Sequence, residues 1–167
     1  FAITGEDTPF YIWSPLVARR ILKIIPNVKL IVLFRNPVDR AYSNYHLGVR
    51  AGSENLSFED AIQSELDSLK NSEIESDDDV KKYTIPRSYI AKGFYADQLK
   101  IWLKLFKSEQ LFITSTEDFE SNTKNVLNKI YDFLEIPQIN LKNLGKHKVA
   151  SYPPMKDETR KFLVDLY

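Results

Sequence analysis

An arginine and a serine eight positions apart could bind one anion together. Arg35 follows the apolar run 29–34, and Ser43 lies within the helical pattern that comes next. A guanidinium can donate two charge-assisted hydrogen bonds to a phosphate, and a serine hydroxyl can add another donor. A structural interpretation fits equally well, in which Arg35 pairs with an acid and Ser43 is a surface residue. The spacing alone leaves both interpretations open.

The elements around this pair favour an anion site. Residues 29–34 (KLIVLF) are typical of a strand buried on both faces of a parallel sheet. Asn36 can cap the next helix, Pro37 suits its first turn, and Asp39 complements its dipole. We expect that helix to end near Arg50. Ligands of open α/β sheets bind beyond the carboxyl ends of strands, beside helix N-termini.

Other periodic segments predict an α/β fold. Strands that alternate with helices indicate a mainly parallel sheet with helices on both faces. We expect a third strand from residues 1–5 or from sequence outside this chain. The predicted segments are a helix from Ser14 to Pro26, a helix capped by Ser57, a helix from Tyr95 to Phe106, a strand over 111–115, and one helix from Phe119 to Leu134.

Composition narrows the possible functions. The chain has 167 residues with 43% hydrophobic content, which suits about one domain. Its 23 basic and 23 acidic residues give no overall field for nucleic acid. The absence of cysteine excludes disulfides and thiolate catalysis, and two distant histidines argue against a histidine metal site. The acidic stretch 71–79 is interpreted as a solvated loop, with a cation site as the weaker alternative.

The hydropathy pattern predicts a soluble protein, and the absence of cysteine fits a reducing compartment, so we expect a cytoplasmic protein. No apolar run approaches the ~20 residues that a membrane-spanning helix needs. The N-terminus lacks the basic start of a signal peptide.

The segment from Arg35 to Tyr45 resembles a known binding motif. Arg-Asn-Pro-Val-Asp-Arg-Ala-Tyr-Ser-Asn-Tyr is similar to the 3′-phosphate-binding segment of sulfotransferases that use 3′-phosphoadenosine 5′-phosphosulfate (PAPS), particularly bacterial and heparan sulfate sulfotransferases. In that family the arginine and serine at this spacing hold the 3′-phosphate, so the resemblance implies those roles for Arg35 and Ser43. It also implies a single P-loop-NTPase-like sulfotransferase domain over 1–167, incomplete at its N-terminus and also expected to be incomplete at its C-terminus.

A second segment supplies a candidate base. Residues 5–11 (GEDTPFY) resemble the family's Gly-Glu-Lys-(Ser/Thr)-Pro-x-Tyr segment, whose glutamate is the proposed catalytic base, although Asp7 replaces the lysine. The resemblance assigns this role to Glu6, and a turn cap or a lysine partner is the alternative. His46 could approach the acceptor from the helix of Ser43, but an ordinary surface histidine is the preferred interpretation.

Three further segments resemble the family. Residues 93–103 and 117–119 match a family helix and an acidic turn, and core packing is our preferred interpretation for both. Residues 144–153 resemble the loop that closes over the donor in heparan N-sulfotransferases. The donor contacts implied there are Lys146, Lys148, Ser151 and Tyr152. Val149, Ala150 and Ser151 replace the family's Gly, Arg and Lys, so a solvated basic loop is the alternative.

The resemblance implies sulfuryl transfer from PAPS to a hydroxyl or amine, which leaves adenosine 3′,5′-bisphosphate (PAP). The acceptor could be a carbohydrate, a lipid or a small metabolite, and no metal is expected. The family's lysine-bearing 5′-phosphosulfate loop is missing. We therefore expect roughly 60 to 100 further residues upstream and no activity from this chain alone. A catalytically silent binding or scaffold domain is the main alternative, and a nucleotide kinase is a weaker one.

Overall fold

The computed structural model describes residues 3–71, 88–141 and 151–167. Seven α-helices and two β-strands occur in these ranges: α1 Pro15–Ile24, β1 Leu30–Phe34, α2 Pro37–Arg50, α3 Phe58–Asn71, α4 Tyr95–Leu105, β2 Leu111–Ser115, α5 Thr116–Ser121, α6 Thr123–Leu134 and α7 Asp157–Leu166. Short 3₁₀ turns lie at Tyr11–Trp13, Ala91–Gly93 and Ser108–Gln110.

The two strands form a parallel pair. Leu30 lies opposite Leu111, and Phe34 lies opposite Ser115, so both strands end at the same edge. The crossover between them contains α2, α3 and α4, as parallel pairing requires. The residues that follow each strand are therefore brought to one edge of the sheet.

Helices pack against both faces of the strand pair, although they leave one face of β1 largely exposed. Successive strand residues point to opposite faces. Leu30 and Leu111 pack on one face in a cluster with α1 and α4. On the other face, the ring of Phe112 lies 5.6 Å from that of Phe133 on α6, and Lys29 Nζ donates to the Phe133 carbonyl at 2.6 Å. The predicted α/β class is confirmed.

A second apolar core lies beyond the carboxyl ends of the strands. It joins α2, α3, the 88–91 segment and α7, and its most deeply buried large side chains are Ile90 and Leu163. This core fixes α2, which carries Ser43, against the C-terminal helix. The cluster of buried residues comprises Val38, Ala41, Phe58, Ala61, Ile62, Tyr89, Ile90, Met155 and Leu163.

The structure corrects two expectations about the elements. Within the described residues β1 is buried on one face only, because Ile31 and Leu33 stay 45% and 49% exposed. The single helix expected up to Leu134 is divided in two by Asn122, which leaves the helical conformation at φ −144° and ψ 50°. The capping residues of the Ser-Asn-Thr sequence at 121–123 were the local signal for this break.

Two further expectations concern the possible strand at residues 1–5 and the acidic stretch 71–79. Residues 3–5 are not in a strand. Most of the acidic stretch 71–79 lies outside the described residues. No helix in 3–71, 88–141 or 151–167 is both long and apolar enough to cross a membrane.

Candidate functional site

The turn between β1 and α2 is built by local capping. Asn36 Oδ1 accepts from the backbone N–H groups of Val38 and Asp39 at 3.0 and 3.2 Å. Pro37 occupies the first helical position, where its missing N–H costs nothing. The predicted cap is therefore confirmed, and Arg35 lies in the two-residue link between the strand and the helix.

Tyr95, at the first residue of α4, holds this link from one side. Its hydroxyl donates to the Arg35 carbonyl oxygen at 3.0 Å. Its ring stacks on Phe34, the last residue of β1, with centroids 4.2 Å apart. Burial raises the pKa of the Tyr95 phenol, so the hydroxyl stays protonated and able to donate at neutral pH.

Glu117 holds the same link from the other side. Its Oε1 accepts from the Asn36 N–H at 2.9 Å, and its other oxygen accepts from Thr116 Oγ1 at 3.1 Å. The hydrogen bond from Asn36, with a smaller contribution from the charge of Arg35, lowers the pKa of the Glu117 carboxyl. An anionic side chain therefore faces the Arg35 turn.

The Arg35 guanidinium and the Ser43 hydroxyl keep their donors available. Among the residues that the structure describes, neither group makes a hydrogen bond or a contact ion pair with protein, although Glu117 acts on Arg35 at longer range. Both residues are half-buried. Ser43 lies seven residues after Asn36, about two helical turns along the same face of α2. Both groups can therefore bind an anion without first breaking a contact with the described residues.

An aromatic cluster joins the middle of α2 to the C-terminal segment. The His46 ring stacks on Tyr152 at 4.4 Å with the planes 8° apart, and Tyr42 meets Tyr152 edge-on at 5.4 Å. Tyr42 Oη also donates to the Pro153 carbonyl at 3.0 Å. Tyr42 and His46 therefore bring the Tyr152 segment against the part of α2 that also carries Ser43.

Polar contacts of α7 fix the C-terminal segment that carries Tyr152. Arg160 pairs with Asp39 at 2.6 Å, which offsets the negative charge in the first turn of α2. Glu59 on α3 accepts from Thr159 Oγ1 at 2.7 Å and pairs with Lys156 at 3.2 Å. The hydrogen bond from Thr159 is the main cause that lowers the pKa of Glu59.

A buried polar network supports the other side of α2. Arg40 donates to the Tyr89 carbonyl, and its positive charge lies close enough to Tyr95 and Tyr167 to act on both phenols. Burial raises the pKa of Tyr167 to about 12, so this tyrosine remains a neutral donor. Glu65, only 3% exposed, lies close enough to interact with Arg40. The network links α2 directly to the start of α4, where Tyr95 lies.

The other predicted site residues have different environments. Glu6 is exposed and accepts from Thr8 Oγ1 at 2.5 Å, and among the described residues it makes no hydrogen bond or ion pair to the Arg35 turn. Ser151 is exposed, while Lys146 and Lys148 lie outside the described residues. The roles of all these residues stay predictions. No cluster of three or more metal-ligand side chains occurs in the described part of the chain.

Sequence reasoning missed three features of this site. Tyr95 was interpreted as a core aromatic and Glu117 as part of an acidic turn, yet both hydrogen-bond the Arg35 turn. His46 was interpreted as a surface histidine, yet it is half-buried and stacked on Tyr152. The sequence signal that could have identified Tyr95 and Glu117 was their position. Tyr95 is the first residue of a helix, and Glu117 lies just after a strand that ends beside β1.

Comparison with known proteins decides the family. A family model described as the sulfotransferase domain matches residues 16–162. This chain belongs to the sulfotransferase family. The sulfotransferase fold agrees as well, since a crystal structure of a sulfotransferase from Alicyclobacillus acidocaldarius has a TM-score of 0.75 and 27% identity, covering 94% of this chain and 57% of that one.

Two curated sulfotransferases have a sequence identity to this chain close to that of the crystal structure. The membrane-associated sulfotransferase kil1 of Dictyostelium discoideum is 26% identical over 233 residues, covering 99% of this chain and 50% of that protein. The bifunctional heparan sulfate N-deacetylase/N-sulfotransferase 4 of Mus musculus is 27% identical over 187 residues, covering 97% and 20% respectively. The chain therefore spans half or less of the length of these two relatives.

Proposed function

We propose that this sulfotransferase chain carries the 3′-phosphate part of a PAPS site. The observation that carries the proposal is the Arg35 turn: a half-buried arginine at the carboxyl end of a parallel strand, beside a capped helix N-terminus, with no contact partner for its guanidinium among the described residues. Arg35 binds two phosphate oxygens through its planar fork, and Ser43 donates its hydroxyl to a third. The pairing of Asp39 with Arg160 reduces repulsion of that phosphate.

The proposed reaction is transfer of a sulfuryl group to a hydroxyl or amine. Glu6 removes the proton of the acceptor as its oxygen or nitrogen attacks sulfur. The bond between sulfur and the bridging phosphate oxygen breaks, and PAP leaves with that electron pair. Charge on the transferring group must then be stabilised by cations from outside the Arg35 turn. Lys146, Lys148, Ser151 and Tyr152 are proposed to contact the donor from the C-terminal loop.

A carbohydrate hydroxyl or amine is the acceptor we favour, because one relative is named for heparan sulfate and another is a carbohydrate sulfotransferase.

We also propose that the chain by itself is inactive, since it lacks a recognisable 5′-phosphosulfate loop. Measurable sulfate transfer from PAPS by this polypeptide alone would refute that part. Cytoplasmic location stays a prediction.

Calorimetry with PAP tests the donor site in the intact protein. Arg35→Ala should weaken PAP binding by more than about tenfold, because a bidentate ionic contact is lost. Arg20→Ala is the matched control, since Arg20 is an exposed arginine on α1. Unchanged affinity in the Arg35 variant removes this residue from the donor site.

A turnover assay tests the base. Glu6→Gln should retain PAP affinity and lose sulfate transfer, whereas Asp7→Asn, the adjacent exposed acid, should retain both. Ordinary turnover in the Glu6 variant ends the base assignment. Intact protein that binds PAP but transfers sulfate to no hydroxyl or amine acceptor is the result expected of a silent binding domain.

A further inference from the structure

The peptide group between Arg35 and Asn36 is held at both of its polar atoms. Its carbonyl oxygen accepts from Tyr95 Oη at 3.0 Å, and its N–H donates to Glu117 Oε1 at 2.9 Å. The two side chains come from different elements, 60 and 81 positions along the chain from the residues that they hold. One peptide plane is therefore fixed from two independent directions.

The sheet register explains why Glu117 reaches this peptide. Phe34 lies opposite Ser115 in the parallel pair, so the residues two positions further along, Asn36 and Glu117, continue the same alignment. If β2 continued beyond Ser115, one of its backbone carbonyls would accept the hydrogen bond from the Asn36 N–H. Because Ser115 caps α5 through Asp118 N at 3.0 Å, the chain turns away, and a side-chain carboxylate accepts the hydrogen bond instead.

The orientation of this peptide plane determines the conformation of both residues that it joins, Arg35 and Asn36. Rotation of the peptide plane would change the backbone angles of Arg35 and Asn36 together. The Arg35 side chain would then leave the turn in a different direction, and Asn36 would lose its bonds to Val38 and Asp39. The orientation of the arginine thus depends on Tyr95 and Glu117, although neither has to touch the ligand.

We propose that Tyr95 and Glu117 are positioning residues that preorganise Arg35 for the donor's 3′-phosphate. The inference rests on the proposed PAPS site. Preorganisation matters there because a bidentate arginine contact needs the guanidinium in one orientation, and freezing that orientation on binding would cost affinity. Glu117 also places a negative charge near Arg35, which opposes phosphate binding. Its positioning effect and its charge effect therefore have opposite signs.

The glutamine variant separates the two effects in the intact protein. Glu117→Gln keeps an oxygen for the Asn36 N–H and removes the charge, so PAP affinity should equal or exceed that of the native protein. Glu117→Ala removes both, and it should bind PAP about three- to tenfold more weakly than the glutamine variant. Equal affinities in the two variants overturn the positioning role. Glu109→Ala, an exposed glutamate at the opposite end of β2, is the matched control and should leave PAP affinity unchanged.

A double-mutant cycle tests the action on one peptide. Tyr95→Phe keeps the ring on Phe34 and removes only the donor to Arg35, so it should also weaken PAP binding about three- to tenfold. Because both side chains hold one peptide, Tyr95→Phe combined with Glu117→Ala should deviate from the product of the single effects by at least about threefold. Strictly multiplicative effects overturn the two-sided clamp.

Kinetics and the Arg35 variant separate this inference from the proposed function. Tyr95→Phe should raise KM for PAPS relative to the native protein, and Glu117→Ala should raise it relative to Glu117→Gln. Both should leave kcat unchanged at saturating donor, which a general loss of folded protein would not do. If Arg35→Ala leaves PAP affinity unchanged, the proposed function fails. If Arg35→Ala weakens PAP binding while Tyr95→Phe does not, and Glu117→Ala binds PAP as tightly as Glu117→Gln, the donor site stands and the positioning inference is wrong.

Discussion

Replacing Glu65 with alanine should destabilise the folded chain strongly, because two buried backbone donors would lose their acceptor. Glu65 on α3 is 3% exposed, and its two oxygens accept from Ile90 N and Ala91 N at 2.8 Å each. Ile90 is fully buried, so water cannot easily replace the lost acceptor. The carboxylate also interacts with Arg40, whose charge would lose a partner.

The magnitude follows from those contacts. A buried donor left without a partner costs about 1–3 kcal/mol, so two such donors cost about 2–6 kcal/mol before any cavity is counted. Domains of this kind are stable by about 5–15 kcal/mol in total. Glu65→Gln keeps one acceptor oxygen but places an amide donor against a backbone donor, so its cost should be smaller, about 1–3 kcal/mol.

Urea unfolding of the intact protein measures these differences. Asp67→Ala is the matched control, because Asp67 lies on the same helix and is exposed. Among the described residues its side chain accepts a hydrogen bond only from Gln63, at 2.9 Å. Its cost should stay within about 0.5 kcal/mol. A Glu65→Ala variant that unfolds with native free energy would refute the role assigned to this carboxylate.

The pH dependence of stability gives an independent check on Glu65. Burial raises the pKa of its carboxyl above 4.5, against the opposing hydrogen bonds from Ala91 and Ile90. The folded state therefore holds this proton to higher pH than the unfolded state. The corresponding stability is complete below about 4.5 and is lost as pH rises through the folded-state pKa. The stability advantage of native protein over Glu65→Gln should shrink over that range.

Three further predictions concern the surrounding packing. Burial, with a smaller effect of Arg50, lowers the pKa of His46 below 6.5. The stability of the folded chain should therefore fall as pH drops below about 6.5, and an NMR titration of the His46 ring checks the direction of the pKa shift. Gly93→Ala should destabilise by about 1–3 kcal/mol, because its Cβ would lie 2.5 Å from Tyr167 Oη, as thermal unfolding can show. Trp102→Phe should cost about 1 kcal/mol in urea unfolding, because the indole donor to Ile12 O at 3.1 Å is lost.

Local chemistry made several parts of the fold predictable. Asn36 and Pro37 marked the start of α2, and Ser57 marked the start of α3, where its hydroxyl accepts from Asp60 N at 3.2 Å. These signals act within one helical turn, so neighbouring residues suffice to determine them. The break at Asn122 was missed although its signal was equally local, because apolar periodicity continues through α6 and was given more weight.

Burial and long-range hydrogen bonds were not predictable in this way. The apolar run at 29–34 predicted a strand buried on both faces, but Ile31 and Leu33 remain half exposed among the described residues. Apolar residue types report what a strand can bury, whereas its neighbours decide what is covered. The same reason explains why the stack of His46 on Tyr152 was missed, since the two residues are far apart in the sequence.

The amino-acid sequence by itself determined the β1–α2 turn and identified Arg35 and Ser43 as a candidate anion pair, because capping, helix start and donor type are properties of adjacent residues. Only the tertiary structure decided what holds Arg35. Tyr95 and Glu117 reach its peptide because α4 and β2 are placed beside β1 by the core and the parallel register. Neither contact has a sequence pattern of its own, since each joins residues that only folding brings together.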